Sequence, residues 1–332
     1  MSHSKQLKPY QIFNENSINL KKLYENSIDA LVTDPPYGIS YQNNEWDKAL
    51  PDIEIWKESF RVLKPGSFGL VFSSVRLMHR LMVNLEDCGF EIKDVLFWSY
   101  LNGMPKSRNI GIDIDKELGV ESLEVGEYKY VQGYKKEGAK SYTAEKSKKI
   151  FTSNSDLGKK YNGSGLNLKP AYEPIILIQK PITKNQSIAQ NVIQFGTGVL
   201  NFEDTRIPYD KSDGKVGHNP HPTGRTPSNI IRTENHNDGY DKFFQVAKVR
   251  QSKDDFNLHP TLKPVELMTH LVKLVTFESQ IVLDPFMGSG STGVACQIEK
   301  RKFVGYEMEK KYFEIVERRL AEKREALESA LL

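Results

Sequence analysis

The chain has 332 residues, of which 38% are hydrophobic and 27% charged, and its formal net charge is +3. This length and composition predict a soluble globular protein with one large elaborated domain or two domains. No stretch approaches the roughly 18 apolar residues of a membrane span, and no signal-peptide core is present, so we expect a cytoplasmic protein. Cys88 and Cys296 stand alone and the histidines follow no ligand spacing, which argues against a disulfide or a metal site.

Strand and helix signals alternate over the first 100 residues. Apolar strand signals cover 10–13, 28–33, 68–72 and 92–98, and helical spacing covers 17–24, 53–63 and 75–88. The run over 68–72 is apolar throughout, as in strands that are buried on both faces. The alternation predicts a doubly wound α/β fold with a parallel sheet.

The strand over 28–33 runs into Asp34-Pro35-Pro36-Tyr37-Gly38. Parallel sheets bind ligands at the carboxyl ends of their strands. Each proline fixes φ and lacks an N–H, so the carbonyls of Asp34 and Pro35 are held stiffly. Two acceptors beside an aromatic ring suit a planar, amino-bearing ring such as a nucleobase. By itself, the segment fits an ordinary strand that ends in a proline turn equally well.

The rhythm of strands and helices breaks over 101–169, where a helix is predicted only at 110–118. Between Lys135 and Lys160 there are eight lysines and three acidic residues. Such a run is most often a solvated or disordered loop, and contact with a phosphate backbone is the alternative. A strand signal returns at 173–178, and 181–257 is irregular and polar.

The last part of the chain alternates again. Helices are predicted from Pro264 to 275, after the glycine loop to 298, and to about 328, with strands at 281–283 and 303–306. The loop Asp284-Pro285-Phe286-Met287-Gly288-Ser289-Gly290 allows close backbone approach, and the following helix N-terminus favours an anionic group. Glu307 follows Asp284 by 23 residues, near the offset of the acid that binds ribose hydroxyls in nucleoside-binding sheets. No lysine follows the glycines, which excludes a P-loop, and a plain glycine turn stays the alternative.

These two segments resemble the motifs of the S-adenosylmethionine-dependent amino methyltransferases of DNA. The order, with the Asp34–Tyr37 tetrad first and the glycine loop last, is similar to that family's permuted β group. Further matches lie at 259–264, 174–180 and 303–307, and the resemblance covers 10–100, 170–180 and 259–320. It implies a circularly permuted Rossmann-like methyltransferase sheet with irregular target-recognition insertions. Asp at the first tetrad position is commonest in N6-adenine enzymes, so the implied substrate is a flipped-out adenine in duplex DNA.

The resemblance also implies roles for individual residues. The catalytic residues would be Asp34, Pro35, Pro36 and Tyr37, with acceptors for the target amino group in Asp34 and the Pro35 carbonyl and a stacking ring in Tyr37. S-adenosylmethionine would contact Asp284, Pro285, Phe286, Gly288, Ser289, Gly290, Glu307, Thr261, Lys263 and Asn16, the last standing where Asp is more usual. DNA contacts are expected from Lys106, Arg108, Lys146, Lys148, Lys149, Arg206, Arg225, Arg232 and Arg250.

The implied organisation has five parts. Residues 1–100 form the catalytic half of the methyltransferase domain, 101–169 an insertion, 170–180 a core strand, 181–258 a target-recognition region and 259–328 the cofactor-binding half. A homodimer, a companion restriction endonuclease and association with the nucleoid are compatible with it. The open alternatives are methylation of cytosine N4, of protein glutamine or of RNA, and a non-catalytic DNA-binding module that kept the fold.

Overall fold

The computed structural model describes residues 10–40, 44–100, 108–133, 143–209, 220–232, 244–245 and 262–330, without the side chains of 130–133, 143–145 and 244–245. Two compact units are present. The smaller unit is Asn102–Ala171, and the larger contains the rest of the chain. Within the described ranges, no helix has the length and apolar character needed to cross a membrane.

The strands are β1 (Tyr10–Phe13), β2 (Ala30–Thr33), β3 (Phe68–Phe72), β4 (Glu91–Ser99), β5 (Leu123–Gly133), β6 (Thr143–Thr152), β7 (Tyr172–Gln179), β8 (Ile230–Arg232), β9 (Phe244–Gln245), β10 (Ile281–Asp284) and β11 (Lys302–Tyr306). The α-helices are α1 (Ile53–Val62), α2 (Met78–Asp87), α3 (Ile110–Glu117), α4 (Asp156–Lys160), α5 (Ile188–Phe195), α6 (Val265–Val275), α7 (Ser291–Ile298) and α8 (Lys310–Ser329). Short 3-10 helices cover Ser17–Lys22, Glu45–Asp47 and Glu203–Thr205.

The larger unit is built on one nine-stranded sheet with the order β1-β11-β10-β2-β3-β7-β4-β8-β9. The neighbours from β1 to β3 pair in parallel, as do β4 with β8 and β8 with β9. β7 is antiparallel to both β3 and β4, so the prediction of a wholly parallel sheet is wrong at this strand. Ser99 at the end of β4 lies opposite Tyr172 at the start of β7. The chain therefore leaves and re-enters the sheet at one edge, which makes the two strands an antiparallel pair.

Alternate residues of the central strands face two hydrophobic clusters, one on each side of the sheet. Ala30 and Val32 of β2 belong to a cluster that also contains Leu267 of α6. Leu31, between them, belongs to the other cluster with Trp56 of α1. Helices thus cover both faces of the sheet, which confirms the predicted doubly wound α/β architecture. The tetrad strand precedes the glycine-loop strand in the chain, and circular permutation itself stays a prediction.

The smaller unit contains the β5–β6 hairpin with α3 and α4. Its central contact is Asp115, which is fully buried and accepts hydrogen bonds from Ser155 Oγ (2.5 Å), the Asn154 amide (2.7 Å) and Ser122 Oγ (2.9 Å). These donors lower the pKa of Asp115 to about 2. Lys146, Lys148 and Lys149 lie on β6, so the interpretation of their segment as a loop is wrong.

One helix of the region that the sequence marks as irregular carries a recognisable start signal. Ser187 accepts from the backbone of Gln190, and the Gln190 side chain accepts from the backbone N–H of Ser187, which forms a capping box at the start of α5. Gly196 ends the helix with φ of 74°. The signal Ser-x-x-Gln was therefore present in the sequence.

Candidate active site

The tetrad forms a turn at the carboxyl end of β2, held by an acidic side chain from further along the chain. The backbone N–H groups of Tyr37 and Gly38 donate to Asp47 Oδ1 at 2.6 and 3.0 Å. Asp47 is 2% exposed, so this bond is protected from water. Asp47 fixes the corner without being part of the motif, and sequence reasoning did not identify it.

Both carboxylate oxygens of Asp34 are engaged. The Tyr37 hydroxyl donates to Oδ1 at 2.7 Å, and the Lys263 ammonium donates to Oδ2 at 2.5 Å. Burial raises the pKa of Asp34, although the charge of Lys263 acts in the opposite direction. Burial and the nearby carboxylates of Asp34 and Glu173 raise the pKa of Tyr37 well above its usual value, so its hydroxyl keeps its proton.

Lys263 extends from the start of α6 into the tetrad corner. Its ammonium lies 3.5 Å from Glu173 Oε2 and 4.9 Å from the centre of the Phe72 ring. Burial lowers the pKa of Lys263, but Asp34 and Glu173 outweigh it, and the net shift is upward. The resemblance places this residue on the cofactor. In the structure it contacts Asp34 of the tetrad, and its cofactor contact stays a prediction.

The glycine loop is shaped by Asp284 at the end of β10. Asp284 accepts from Thr33 Oγ1 and Thr292 Oγ1, both at 2.6 Å, and from the Phe286 amide at 3.1 Å. The side chain is 2% exposed, and burial raises its pKa to about 6. Thr33 directly precedes the tetrad, so this hydrogen bond joins the two sequence motifs at adjacent strand ends. Asp284 thus positions the loop, and its contact with a ligand stays a prediction.

Glu307 follows β11 and contacts the same loop. Its carboxylate accepts from the backbone N–H of Gly288 at 3.1 Å and of Glu309 at 2.8 Å. Burial raises the pKa of Glu307 to about 7. The structure therefore brings the tetrad, the glycine loop and the expected ribose acid to one edge of the sheet, because β11, β10 and β2 are consecutive neighbours.

The loop is also held from α8. The Arg319 guanidinium donates to the Ser289 carbonyl, to Ser289 Oγ at 3.1 Å and to Ser291 Oγ at 3.4 Å. A Cβ on Gly290, where φ is 77°, would lie 2.8 Å from Val316. Close packing of α8 therefore explains the second glycine of the loop, and Arg319 is a loop-binding residue that the sequence pattern did not reveal.

Two further residues, Asn16 and Thr261, are predicted to contact the cofactor. Asn16 Oδ1 accepts from the Ile18 amide at 3.0 Å and caps the first 3-10 helix, so its adenine contact stays a prediction. Thr261 lies outside the described residues.

In the ranges that the structure describes, no group of three or more His, Cys, Asp or Glu side chains could hold a metal ion.

The described basic residues that are predicted to bind DNA lie on several different elements. Lys146, Lys148 and Lys149 are exposed on β6, and Lys149 pairs with Glu124 at 2.7 Å. Arg108 pairs with Asp113, Arg206 pairs with Glu203, and the Arg225 guanidinium lies 5.0 Å from the centre of the Tyr209 ring. Arg232 ends β8, and Lys106 and Arg250 lie outside the described residues. DNA binding by this set stays a prediction.

Comparison with known proteins decides the family. The family described as DNA methylase (N6_N4_Mtase) matches residues 28–318. The chain belongs to this family. The methylase is 30% identical over 351 residues to the type II methyltransferase M.HindIII of Haemophilus influenzae, covering 93% of this chain and 94% of that one.

Two other similar proteins extend the comparison of this methylase. The DNA adenine methyltransferase YhdJ of Escherichia coli is 29% identical over 179 residues, which cover 52% of this chain and 54% of YhdJ. The crystal structure of an M1.HpyAVI–SAM complex matches with a TM-score of 0.49 and 20% identity, over 94% of this chain and 98% of that one.

Proposed function

We propose that this DNA methylase transfers a methyl group to the N6 amino group of an adenine flipped out of duplex DNA at a specific sequence. The observation that supports this most is the hydrogen bond between Thr33 and Asp284, which joins the tetrad corner to the glycine loop. A group transfer needs its two binding sites side by side. The cofactor, S-adenosylmethionine, supplies an electrophilic methyl group when bound.

The acceptors in the corner suit the activation of an aromatic amine. The lone pair of adenine N6 is delocalised into the ring, which makes the nitrogen a weak nucleophile. The Asp34 carboxylate and the stiff Pro35 carbonyl would each accept a hydrogen bond from one N–H of this amino group, which returns electron density to the nitrogen lone pair. The two acceptors are in place before the reaction, so their effect is one of electrostatic preorganisation. As the nitrogen becomes positively charged, Asp34 stabilises it and accepts its proton. Pro36 contributes the rigid turn.

Tyr37 is proposed as the aromatic surface for the extruded base. A base that leaves the duplex loses its stacking energy, and enzymes of this kind replace part of it with an aromatic ring. The Tyr37 ring is half-buried and packs against the core, and its hydroxyl is tied to Asp34. A ring held at both edges needs no reordering when the base arrives.

The cofactor residues fit a nucleoside with a charged amino-acid end. The Glu307 carboxylate can accept hydrogen bonds from ribose hydroxyls, and the N-terminus of α7 after Gly290 favours a carboxylate. Lys263 can reach either Asp34 or such a carboxylate, because its stem is long and flexible. Pro285, Phe286 and Ser289 line the same loop, and Asn16 and Thr261 complete the proposed contacts.

One face of the β5–β6 hairpin is the proposed contact for the DNA backbone. Tyr128 lies opposite Lys148, and Tyr130 lies opposite Lys146, so these four positions share a face. Lys129 and Lys149 lie on the other face, where Lys149 is directly opposite Glu127, so the proposed contact leaves out Lys149 although the sequence favoured it. A two-stranded ribbon fits the major groove of B-DNA, and lysines with tyrosines supply charge and stacking surface.

Adenine specificity is proposed over cytosine N4 on two grounds. The tetrad begins with Asp34, and the relative YhdJ is named a DNA adenine methyltransferase. Sequencing that detects modified bases, applied to DNA from cells expressing the protein, tests this choice together with the recognition sequence. We expect N6-methyladenine at one short motif. N4-methylcytosine at a motif would favour the alternative, and unmodified DNA would favour a non-catalytic DNA-binding module.

We also propose that a restriction endonuclease of the same specificity accompanies the protein. Its relatives M.HindIII and M.HpaI are named type II methyltransferases. DNA methylated by this protein should then resist that nuclease, and cleavage at the methylated motif would contradict the pairing. A homodimer, which the family resemblance permits, would show twice the 37.9 kDa of one chain in light scattering.

A further inference from the structure

The proposed chemistry leaves one charge in the tetrad corner unexplained. The Lys263 ammonium lies 2.5 Å from Asp34 Oδ2, the carboxylate that would accept the hydrogens of the target amino group. The corner is largely enclosed, since the exposed fractions of the side chains are 10% for Lys263, 21% for Asp34 and 19% for Glu173. Charge interactions are therefore stronger here than in water.

An ammonium that stays on Asp34 during the reaction opposes methylation. The target nitrogen becomes positively charged as the new bond forms, and a neighbouring cation repels that charge. Lys263 also occupies a lone pair of Asp34 that the target amino group needs. Deprotonation of Lys263 does not relieve the conflict, because the carboxylates beside it raise its pKa.

Glu173 offers a second anion to the same ammonium. Its Oε2 lies 3.5 Å from Lys263 Nζ. Glu173 is the second residue of β7. The backbone there is rigid, since Pro174 restricts Glu173 to an extended conformation and the Pro174 carbonyl accepts from the Ser73 amide at 3.0 Å. Glu173 also lies opposite Trp98 of β4.

We propose that Glu173 is a positioning residue that holds the Lys263 ammonium off the accepting oxygen of Asp34 and keeps the corner at a net charge of −1 during methyl transfer. This inference rests on the proposed function. With Glu173 ionised, the corner contains two carboxylates and one ammonium. Without it, Lys263 and Asp34 form a neutral closed pair, and Asp34 no longer stabilises a cationic nitrogen as well.

The test is a double-mutant cycle between Glu173→Gln and Lys263→Met. The single-turnover rate of methyl transfer to duplex DNA is measured for the wild type, both single variants and the double variant, at saturating S-adenosylmethionine. We expect Glu173→Gln to slow transfer by about 10- to 100-fold, because the Lys263 ammonium, no longer shared with Glu173, then pairs fully with the accepting oxygen of Asp34. In the Lys263→Met background the same change should have little further effect, because there is no ammonium left to hold.

Binding measurements separate positioning from a structural role. Glu173→Gln should leave the affinities for S-adenosylmethionine and DNA and the thermal unfolding midpoint unchanged, and Glu173→Asp, which keeps the charge, should recover part of the rate. Wild-type rates in Glu173→Gln, or an equal loss in both backgrounds, would overturn the inference alone. A wild-type protein that transfers no methyl group would overturn the proposed function and this inference with it.

Discussion

At the scale of single residues, Asp34 has the central role in the proposed chemistry. One of its oxygens is ordered by Tyr37, and the turn beneath it is fixed by Asp47. An ordered carboxylate needs no reorganisation when charge develops on a bound amine, which is the condition for strong electrostatic stabilisation. The side chain therefore acts through its charge more than through its shape.

Asp34→Asn should remove methyl transfer while the protein still binds its cofactor. The amide keeps the shape of the side chain but cannot stabilise a cationic nitrogen, so we expect the single-turnover rate to fall by about 100- to 1000-fold. Calorimetry should give an unchanged affinity for S-adenosylmethionine. Asp87→Asn, at an exposed position at the end of α2, is the matched control and should behave as wild type. Near-normal turnover in Asp34→Asn would contradict the role.

Because the pKa of Glu307 is raised, we expect cofactor binding to depend on pH. Burial raises its pKa to about 7, so the carboxyl gains a proton below that pH and then presents fewer acceptors to ribose hydroxyls. The affinity for S-adenosylmethionine should therefore increase as the pH rises through 7 and level off above it. Glu307→Gln should weaken binding by about 10- to 100-fold, as expected for lost hydrogen bonds to a charged group, and flatten the profile.

The raised pKa of Glu307 has the opposite effect on folding stability: a higher pH lowers it. The folded protein holds a proton on Glu307 that the unfolded chain releases near the usual glutamate pKa of 4.5. The contribution of this group to folding stability therefore falls as the pH rises from about 4.5 to about 7, and is constant above that.

A titration of cofactor affinity with no inflection near pH 7 in the wild type would contradict the placement of Glu307 in the site.

Residues with local motifs could be predicted from the sequence, whereas those that act across long separations could not. Asp34, Gly288 and Glu307 belong to short patterns at strand ends. Arg319 reaches the glycine loop only because α8 packs over it, and Asp47 reaches the tetrad only because its segment folds back over the corner. No local pattern encodes such contacts, since they depend on how elements pack.

At the scale of elements, the β5–β6 hairpin was missed because its sequence has no apolar face. In Leu123–Gly133 the alternation of apolar and polar residues is interrupted at Gly126 and Glu127, and Thr143–Thr152 is rich in lysine. Neither segment therefore shows the unbroken alternation that marks a half-buried strand. Strands such as β3, which are buried on both faces, could be predicted because their whole length is apolar.

The hairpin allows a matched test of DNA binding at this scale. Lys146→Ala with Lys148→Ala removes two charges from the face that also holds Tyr128, and should reduce the slope of log affinity against log salt by about 2. Lys129→Ala with Lys149→Ala removes the same charge from the other face and should leave the slope unchanged. A wild-type slope in the Lys146→Ala/Lys148→Ala variant would show that this face does not contact the DNA backbone.

We expect the buried hydrogen bonds of Asp115 to stabilise the smaller unit. Its carboxylate is buried and accepts hydrogen bonds from Ser155, Asn154 and Ser122, so Asp115→Ala leaves those donors without a partner. Hydrogen exchange should become faster in amides of α3 and of the segment from 152 to 158, while amides of β3 and β10 keep their protection. Unchanged exchange in the smaller unit would show that Asp115 is not its central contact.

At the scale of the whole molecule, function depends on the order of strands in the sheet. The tetrad and the glycine loop are about 250 residues apart in sequence, yet β2 and β10 are neighbours and Thr33 bonds to Asp284. The sequence could predict each segment as a ligand-binding strand end, and only the resemblance joined them. The strand over 173–178 was predicted, but its antiparallel direction was not, and this strand brings Glu173 to the same edge.

The most direct test of this arrangement is the chemical identity of its product. Purified protein is incubated with a mixed-sequence DNA duplex and S-adenosylmethionine that carries an isotope-labelled methyl group, and the digested nucleosides are analysed by mass spectrometry. The account predicts labelled N6-methyl-2′-deoxyadenosine from the wild type and none from Asp34→Asn. Labelled N4-methyl-2′-deoxycytidine, or no labelled nucleoside from the wild type, would contradict it.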